Sequence, residues 1–350
     1  MKKLLLPILL LVCLSACTKS KVNNTNNIEE VCLYAFPNEE GKWGYINAEG
    51  EFVIQPQFDY AYAFQSHRAT VRIGDWFTGN SGIIDENGNY VATPQFEFVG
   101  DFHEGLAIIK LDESSSDNWG FIDTTGLIVI NPVYKQVSEF HDGLAAVQEP
   151  NSGKSGLINK NGDYVFSTTS LTVTNYSDGL AAFSLNEDSN NSYGFMDKDG
   201  TVVISPQFHY ASAFSEGLAI VDIGDFDKYG VIDKTGQYIV NPQYKHIKDF
   251  REGMAAFKNQ YDKEGFLNNK GEVTIPAQFD MASYFCDGLA RVEINDKLGC
   301  INKDGEFVIE PIYDHISDFQ HGFAYAEKGE TALFINNKGE VIKSTYVKGL

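Results

Sequence analysis

The chain has 350 residues, of which 43% are hydrophobic and 13% aromatic, and its formal net charge at pH 7 is -21. This acid excess argues against nucleic acid and anionic lipid as electrostatic partners, because phosphate binding requires clustered Lys and Arg. The sequence also lacks the Gly-x-Ser-x-Gly, His-Glu-x-x-His, phosphate-loop and dinucleotide fingerprints, so no catalytic residues and no cofactor are predicted.

The first 30 residues precede any regular pattern. Residues 1–16 combine two lysines with an apolar stretch of about a dozen residues, which is typical of a secretory signal peptide and too short for a spanning helix. Leu14, Ser15, Ala16 and Cys17 resemble a bacterial lipobox, which predicts lipidation of Cys17. Residues 17–30 are polar and are predicted to form a flexible tether.

The rest of the chain repeats one phrase. A glycine that follows an aromatic, small or variable residue and precedes an apolar one recurs at a spacing of about 34 to 38 residues, which is typical of solenoids and propellers. It stands at Gly44, Gly82, Gly120, Gly156, Gly194, Gly230, Gly265 and Gly299, and Leu333 takes its place in the last copy.

Each copy contains a predicted hairpin. In the copy that begins at Trp119, an Asp three residues before Gly126 predicts a type I turn closed by a G1 bulge. We name the strand before this turn strand A and the strand after it strand B. Pro132 is expected to end the pairing of strand B, because proline donates no backbone hydrogen bond. Residues 133–140 then cross over to strand C at residues 143–147, which gives three strands per unit.

These features together resemble the bacterial WG-repeat family. The resemblance rests on the run of Trp-Gly, Ile-Asp, Gly, Ile-x-Pro and Phe-x-x-Gly-Leu-Ala, and it covers roughly residues 31–342. It implies a repeat architecture and no particular activity. The chain departs from the motif where the tryptophan, the proline and the strand C glycine are replaced, and these departures are expected to weaken local geometry. The replacements are Ser81, Ser155, Tyr193, Tyr229, Glu264 and Leu298 for tryptophan, Thr168 for proline and His67 for glycine.

We predict an all-β array of about nine three-stranded antiparallel units over residues 31–345, with each unit in the order C, A, B. An open twisted solenoid is the favoured arrangement, because a ring of nine units would be unusually large for a propeller. A closed β-propeller-like ring is the alternative.

Five sets of residues are functional candidates. The acids before the strand C glycine could attract cations, but a turn preference explains them more simply, and the repeated aromatic rings are interpreted as shared core rather than as a sugar-binding surface. The histidines are interpreted as exposed turn residues, so no metal site is predicted, and a Cys286–Cys300 disulfide remains a hypothesis. The loops between strands C and A vary most and are equally consistent with a binding edge and with solvated connections. The acids are Glu104, Asp142, Asp178, Glu216, Glu252 and Asp287; the histidines are His67, His103, His141, His209, His246, His315 and His321; Cys32 is the third cysteine; and the longest loops are residues 112–118 and 186–192.

The sequence therefore predicts an exported lipoprotein that is anchored to a membrane through Cys17 and acts as a non-enzymatic protein-binding or scaffold module at the cell envelope. The expected partner is another envelope protein or a surface polysaccharide, and the ligand-binding residues are unknown. A carbohydrate-binding accessory and an envelope hydrolase are the alternatives.

Overall fold

The computed structural model describes residues 32–111, 119–185, 192–224 and 228–349. Within these residues the chain forms nine small antiparallel sheets, one for each predicted unit. The predicted signal peptide at residues 1–16 and the tether at residues 17–30 lie outside the described residues, and so does the lipidation site Cys17. None of the described residues belongs to a helix with the length and apolar character of a membrane span.

Strands C, A and B are present in all nine sheets, which we number as blades 1 to 9 in chain order. The C strands are Tyr34–Pro37, Ala69–Ile73, Leu106–Lys110, Leu144–Gln148, Leu180–Leu185, Leu218–Asp222, Met254–Lys258, Leu289–Ile294 and Phe323–Lys328. The A strands are Trp43–Ile46, Asn80–Ile84, Trp119–Asp123, Ser155–Asn159, Tyr193–Met196, Tyr229–Asp233, Glu264–Asn268, Lys297–Ile301 and Thr331–Asn336. The B strands are Phe52–Phe58, Tyr90–Phe96, Ile128–Tyr134, Tyr164–Thr168, Val202–Phe208, Tyr238–Tyr244, Val273–Phe279, Phe307–Tyr313 and Val341–Tyr346.

Blades 2 to 9 contain a fourth strand, so the prediction of three strands per unit was wrong. This inner strand lies in the segment that was expected only to cross over, and it pairs with strand C. In blade 4 the hydroxyl of Ser138 extends the pairing, because it accepts a hydrogen bond from the backbone N–H of Ala146 at 2.9 Å. The inner strands are Tyr60–Ala61, Phe98–His103, Gln136–Val137, Leu171–Ser177, Tyr210–Ala211, His246–Ile247, Met281–Cys286 and His315–Ile316.

The hairpin between strands A and B has the predicted geometry. The Asp123 side chain accepts hydrogen bonds from the backbone N–H groups of Thr125 at 2.8 Å and Leu127 at 3.0 Å, and Gly126 has a φ of 86°. Gly126 N–H donates to the Asp123 carbonyl at 3.1 Å. An αL glycine that follows a type I turn, with a register shift beside it, is the arrangement of a G1 bulge.

The proline does not end strand B, contrary to the prediction. Trp119 pairs with Tyr134 beyond Pro132, and the register shifts between this pair and Phe121–Ile130. The extra residues arch over Gly120, where an added Cβ would lie 2.5 Å from the carbonyl oxygen of Ile130. The missing proline donor thus falls in a bulge that faces a glycine, so the ladder loses no bond there and resumes afterwards.

Neighbouring blades pack through their turn glycines. A Cβ on Gly88 of blade 2 would lie 3.0 Å from Ile54 of blade 1, and one on Gly126 of blade 3 would lie 2.5 Å from the carbonyl oxygen of Val91 of blade 2. Each apolar core is shared by two adjacent blades, as in the cluster that joins Phe121 to Phe140 and Ile158. A single unit cannot bury its apolar face alone, and the neighbour supplies the other half of the core.

The array closes into a ring, so the open solenoid was wrong and the alternative of a closed ring is supported. Tyr34 and Phe36 of blade 1 share a core with Phe334 and Val347 at the end of the chain. A Cβ on Gly50 would lie 3.2 Å from the Lys343 side chain, which repeats between the first and last blades the contact seen between sequential neighbours. Closure removes the two apolar end faces that an open array would expose. The fold is a nine-bladed β-propeller.

Candidate functional site

The acids before the strand C glycines connect adjacent blades. The carboxylate of Glu104 accepts a hydrogen bond from the backbone N–H of Gly143 in the next blade at 3.0 Å, and Asp142 accepts one from Gly179 at 3.2 Å. All six acids have φ between 49° and 55° and precede the glycine in a tight turn, as predicted. Their carboxylates are thus used in packing, which explains the column without a bound cation. The same bond joins Asp178 to Gly217, Glu216 to Gly253, Glu252 to Gly288 and Asp287 to Gly322.

A second set of residues flanks the core aromatic at the end of each inner strand, and we call this set the axial annulus. The residue after the aromatic in one blade reaches the next blade, as when the Ser215 hydroxyl donates to the Phe250 carbonyl at 2.8 Å and the Arg251 guanidinium lies 4.2 Å from the centroid of the Tyr284 ring. The residues before the aromatic are Ala63, Asp101, Glu139, Asn175, Ala213, Asp249, Tyr284 and Asp318, and those after it are Gln65, His103, His141, Ser177, Ser215, Arg251, Cys286 and Gln320.

The annulus faces the axis of the ring. The positive charge of Arg251 in blade 7 contributes to the lowered pKa of Glu139 in blade 4, although these blades do not adjoin. Only the innermost parts of non-adjacent blades approach one another in a ring. Unlike the core aromatics and the turn acids, the annulus changes chemically from copy to copy, so it is a surface on which individual blades can differ in function.

Three annulus side chains converge between blades 3 and 4. His103 ends an inner strand, and Glu139 and His141 flank Phe140 in the next blade. His103 Nε2 lies 3.2 Å from Glu139 Oε2, and His141 Nε2 lies 3.8 Å from the same oxygen. All three potential ligand atoms lie within 4.8 Å of one another. Two imidazoles and a carboxylate at these separations can bind a transition-metal ion.

The cluster differs from an ordinary ion pair. His103 is only 6% exposed, yet its Nε2 makes no hydrogen bond of acceptable geometry despite the short distance to Glu139. Burial acts to raise the pKa of Glu139, but the interactions with His103, His141 and Arg251 outweigh it and hold that pKa below its ordinary value. Burial raises the pKa of Asp101, whose carboxyl is influenced by the charges of His103 and Glu139. The cluster therefore combines an ionised carboxylate with a buried nitrogen that has an unused bonding position.

Sequence reasoning missed this cluster because it looked for ligands within one copy. Glu139 and His141 are two residues apart, but His103 belongs to the preceding copy, and its burial contradicts its interpretation as an exposed turn residue. Aligning the copies would have placed both histidines in the column after the core aromatic, with Glu139 in the column before that aromatic. The other histidines differ in setting: the side chains of His67 and His209 are 64% and 58% exposed.

The repeated aromatic rings belong to the core, as predicted. Those that follow the proline are mostly buried, including Phe58 at 0% and Phe96 at 1%. The ring of Trp43 is half-buried and lies 5.2 Å from that of Tyr325 in the last blade. At Glu264, which replaces the tryptophan in blade 7, the buried carboxylate accepts a hydrogen bond from Ala282 N–H at 2.8 Å. The expected local weakening is therefore not seen at Glu264.

The cysteines and the variable loops give no evidence for a functional site. Cys300 is a free thiol that is fully buried, so the hypothetical Cys286–Cys300 disulfide is not formed, and burial raises the Cys300 pKa to about 12. The variable loop at residues 112–118 lies outside the described residues, and so does the loop at residues 186–192 except for Ser192.

The outer circumference of the ring carries exposed apolar side chains. Strand B is the last strand of every sheet in the described part of the chain, so its outer edge has no partner strand there. We call these strands the outer belt. Its exposed apolar residues include Val203 at 48%, Val308 at 37% and Val341 at 51%. Apolar side chains on an unpaired strand edge are a feature that proteins usually avoid unless a partner covers them.

Comparison with solved structures shows the same kind of fold. The chain is similar to a crystal structure of a eukaryotic initiation factor, with a TM-score of 0.63 at 10% identity over 91% of this chain and 96% of that chain. Weaker similarities are to apo AztD from Citrobacter koseri, at a TM-score of 0.44 and 12% identity over 91% and 95% of the two chains, and to BamB from Moraxella catarrhalis, at 0.43 and 10% over 79% and 93%. No curated protein matches the chain. At 10% identity the similarity to the initiation factor concerns the fold alone.

The repeat itself identifies the family. The family model described as WG containing repeat matches seven segments, at residues 43–75, 82–113, 119–151, 193–225, 229–263, 265–297 and 299–331. These segments cover more than half of the chain, and each runs from strand A of one blade through strand C of the next, as 43–75 does from Trp43–Ile46 to Ala69–Ile73. The protein belongs to the WG containing repeat family.

Proposed function

We propose that the protein is a non-enzymatic protein-binding or scaffold lipoprotein, held at the bacterial cell envelope by lipid on Cys17. The support for the anchor is the sequence of residues 1–17, in which an apolar segment ends in Leu14-Ser-Ala-Cys17. Several acyl chains on Cys17 would anchor the ring firmly, because one chain alone gives only marginal membrane binding. The polar residues 18–30 would then separate the ring from the membrane surface.

The observation that carries the binding function is the outer belt. An unpaired strand edge with exposed β-branched side chains can accept an additional strand from a partner, with backbone bonds for affinity and side chains for specificity. A net charge of -21 favours a partner segment in which basic residues flank the apolar ones. We therefore expect an extended segment of another envelope protein as the partner.

A surface polysaccharide is a weaker candidate. Sugar binding would require exposed aromatic rings in a groove, whereas Phe58 and Phe96 are buried and Trp43 packs against Tyr325. Removal of these rings would be expected to reduce stability before it reduced binding.

An envelope hydrolase is the second candidate, and one observation favours it. The pKa of Asp101 is raised by burial, while that of Glu139 is lowered because its histidine and arginine neighbours outweigh the effect of burial. Two carboxyls whose pKa values are pushed apart resemble a general acid and a general base. If this candidate is right, Asp101→Asn should abolish turnover of an envelope polymer and leave the retention of protein partners unchanged.

The anchor is tested by Cys17→Ser. This variant should leave an unlipidated precursor and move the protein out of the detergent phase in a phase-separation assay. Cys32→Ser is the matched control and should partition like the wild type. If Cys17→Ser still partitions with membrane, the proposed anchor is wrong.

The belt is tested by lysine substitutions made one blade at a time, such as Val203→Lys and Val308→Lys. An edge lysine opposes strand addition, so the variant in the contacted blade should lose its cross-linked envelope partner while circular dichroism and the thermal midpoint stay near wild type. Asn161→Lys adds the same charge at an exposed turn and should keep the partner. Retention of the partner by every belt variant would exclude the outer belt as the binding surface.

A further inference from the structure

The cluster of His103, Glu139 and His141 has a geometry that an ion pair does not explain. The buried His103 Nε2 makes no hydrogen bond, although Glu139 Oε2 is 3.2 Å away. The second imidazole is close as well, with ring centroids 5.6 Å apart. Two imidazoles and a carboxylate thus converge without a hydrogen bond between an imidazole and the carboxylate.

The separations suit a metal ion. Tetrahedral zinc lies about 2.0–2.1 Å from its nitrogen and oxygen ligands, which places the ligand atoms roughly 3.3–3.5 Å from one another. The 3.2 Å distance between His103 Nε2 and Glu139 Oε2 is close to this spacing, whereas the 3.8 Å distance from His141 Nε2 is longer. The separation of the two nitrogens is at most 4.8 Å, so a modest rotation of the half-buried His141 ring would complete the set.

The same two annulus columns provide an internal comparison. The other interfaces between sequential blades, from blade 2 to blade 9, were compared in the same way. At each of them, the residue after the aromatic and the two residues that flank the aromatic of the next blade do not include two imidazoles and a carboxylate. Within the described residues, the cluster is also the one set of three His, Cys, Asp or Glu side chains with ligand atoms close enough for one ion. The fold alone therefore does not require these residues, and blades 3 and 4 differ from the repeat in a specific way.

We propose that His103, Glu139 and His141 bind one divalent transition-metal ion of the zinc class, which connects blades 3 and 4 at the axial annulus. Two nitrogen ligands favour zinc and its neighbours over calcium and magnesium, which prefer oxygen. Three protein ligands leave a fourth position open to water or to a donor atom of a bound molecule. This inference is independent of the proposed membrane anchor and outer belt.

The test is titration of the full, detergent-solubilised chain, freed of any polyhistidine tag, with Zn²⁺ by calorimetry and with Co²⁺ by visible absorption. We expect one ion per chain and a Co²⁺ spectrum of tetrahedral intensity. His141→Gln and Glu139→Gln should each lower the affinity at least tenfold, with little risk to folding because both side chains are about one-third exposed. His209→Gln is the control, since its exposed imidazole lies 3.6 Å from a carboxylate outside the cluster.

The outcomes separate the site from non-specific binding. One-to-one binding that is lost in His141→Gln and Glu139→Gln and retained in His209→Gln supports the site. Binding that is equal in all four proteins indicates an adventitious ion only and overturns the proposal, as does the absence of binding at micromolar Zn²⁺. Circular dichroism of each variant shows whether a lost affinity reflects unfolding. If a variant unfolds, two further measurements replace it: Zn²⁺ binding by His141→Ala, which should be lost, and the thermal midpoint of the wild type, which Zn²⁺ should raise. No shift of the wild-type midpoint with Zn²⁺ overturns the proposal.

Discussion

Substitution of Gly126 tests how much of the stability of the ring comes from contact between blades. Gly126 has a φ of 86°, and a Cβ at this position would lie 2.5 Å from the carbonyl oxygen of Val91 and 3.1 Å from the Val91 carbonyl carbon in the preceding blade. Alanine there would bear the cost of the left-handed conformation, about 1–2 kcal/mol. It would also force the two blades apart, and overpacking of this kind costs typically about 1–3 kcal/mol.

Gly105 is a matched control for the backbone term. Its φ is 87°, and an added Cβ would have no heavy atom within 4 Å. Gly105→Ala should therefore lower the free energy of unfolding by about 1–2 kcal/mol, and Gly126→Ala by about 2–5 kcal/mol. The difference between the two variants isolates the contact with Val91, because the conformational cost is the same in both.

Urea denaturation, followed by tryptophan fluorescence and far-ultraviolet circular dichroism, measures the two losses. The comparison requires an unchanged m-value, since a change in m would indicate a change in cooperativity. Thr125→Ser keeps a hydroxyl that can bond to Asp123 and should be nearly silent. Equal losses from Gly105→Ala and Gly126→Ala would refute the packing role of the turn glycine.

Three further predictions concern the acid column, a partly buried histidine and ring closure. Asp178→Ala removes the 2.7 Å acceptor of Gly217 N–H and should lower the free energy of unfolding by about 1–3 kcal/mol, whereas Asp178→Asn keeps an acceptor and should lose less in the same urea assay. Burial, assisted by the charge of Arg291, lowers the pKa of His315 from 6.5 to about 4, so the unfolded chain binds a proton first as pH falls. The free energy of unfolding should thus decrease from about pH 6.5 to about pH 4 by at most about 3 kcal/mol, and His315→Asn should flatten this part of the pH profile. Ending the chain at Tyr325 should abolish cooperative unfolding rather than lower the thermal midpoint by a small step, because it exposes both faces of the closure; a modest, graded loss would count against the ring.

Local structure was predictable where each copy contains its own pattern. The Asp-x-x-Gly hairpin, the acidic turn before Gly143 and the buried rings such as Phe96 follow from residue types and short spacings within one unit. The bulge at Pro132 was not predictable in this way, because the missing donor is harmless only when Gly120 lies opposite. The inner strand Gln136–Val137 is two residues long and carries no periodic pattern. The sequence therefore predicted a crossover at residues 133–140 but not the short strand within it.

Ring closure depends on the rotation between adjacent blades, which the sequence of one repeat does not reveal. The rotation between adjacent blades must add to a full turn over nine units, and a small change in that rotation separates a ring from a solenoid. The local evidence lies at the two ends of the chain, where Tyr34 contacts Phe323 and Phe334 across about 290 positions of sequence. A single sequence shows that these residues are apolar and aromatic, but it gives no reason to pair them with each other.

The cluster at His103 was missed for a related reason, since its ligands belong to different copies and meet only through packing of adjacent blades. The repeat nevertheless separates two kinds of position. The turn column holds Asp or Glu from Glu104 in blade 3 to Asp287 in blade 8, and each of these acids bonds the next blade, whereas the annulus residues change in chemical character over the same blades. Burial raises the pKa values of Asp101 and Asp249, so at neutral pH their ionised forms cost stability in the folded ring. Charged groups that cost stability and are not demanded by the repeat are the groups expected to serve binding or chemistry, and they are concentrated at the axis.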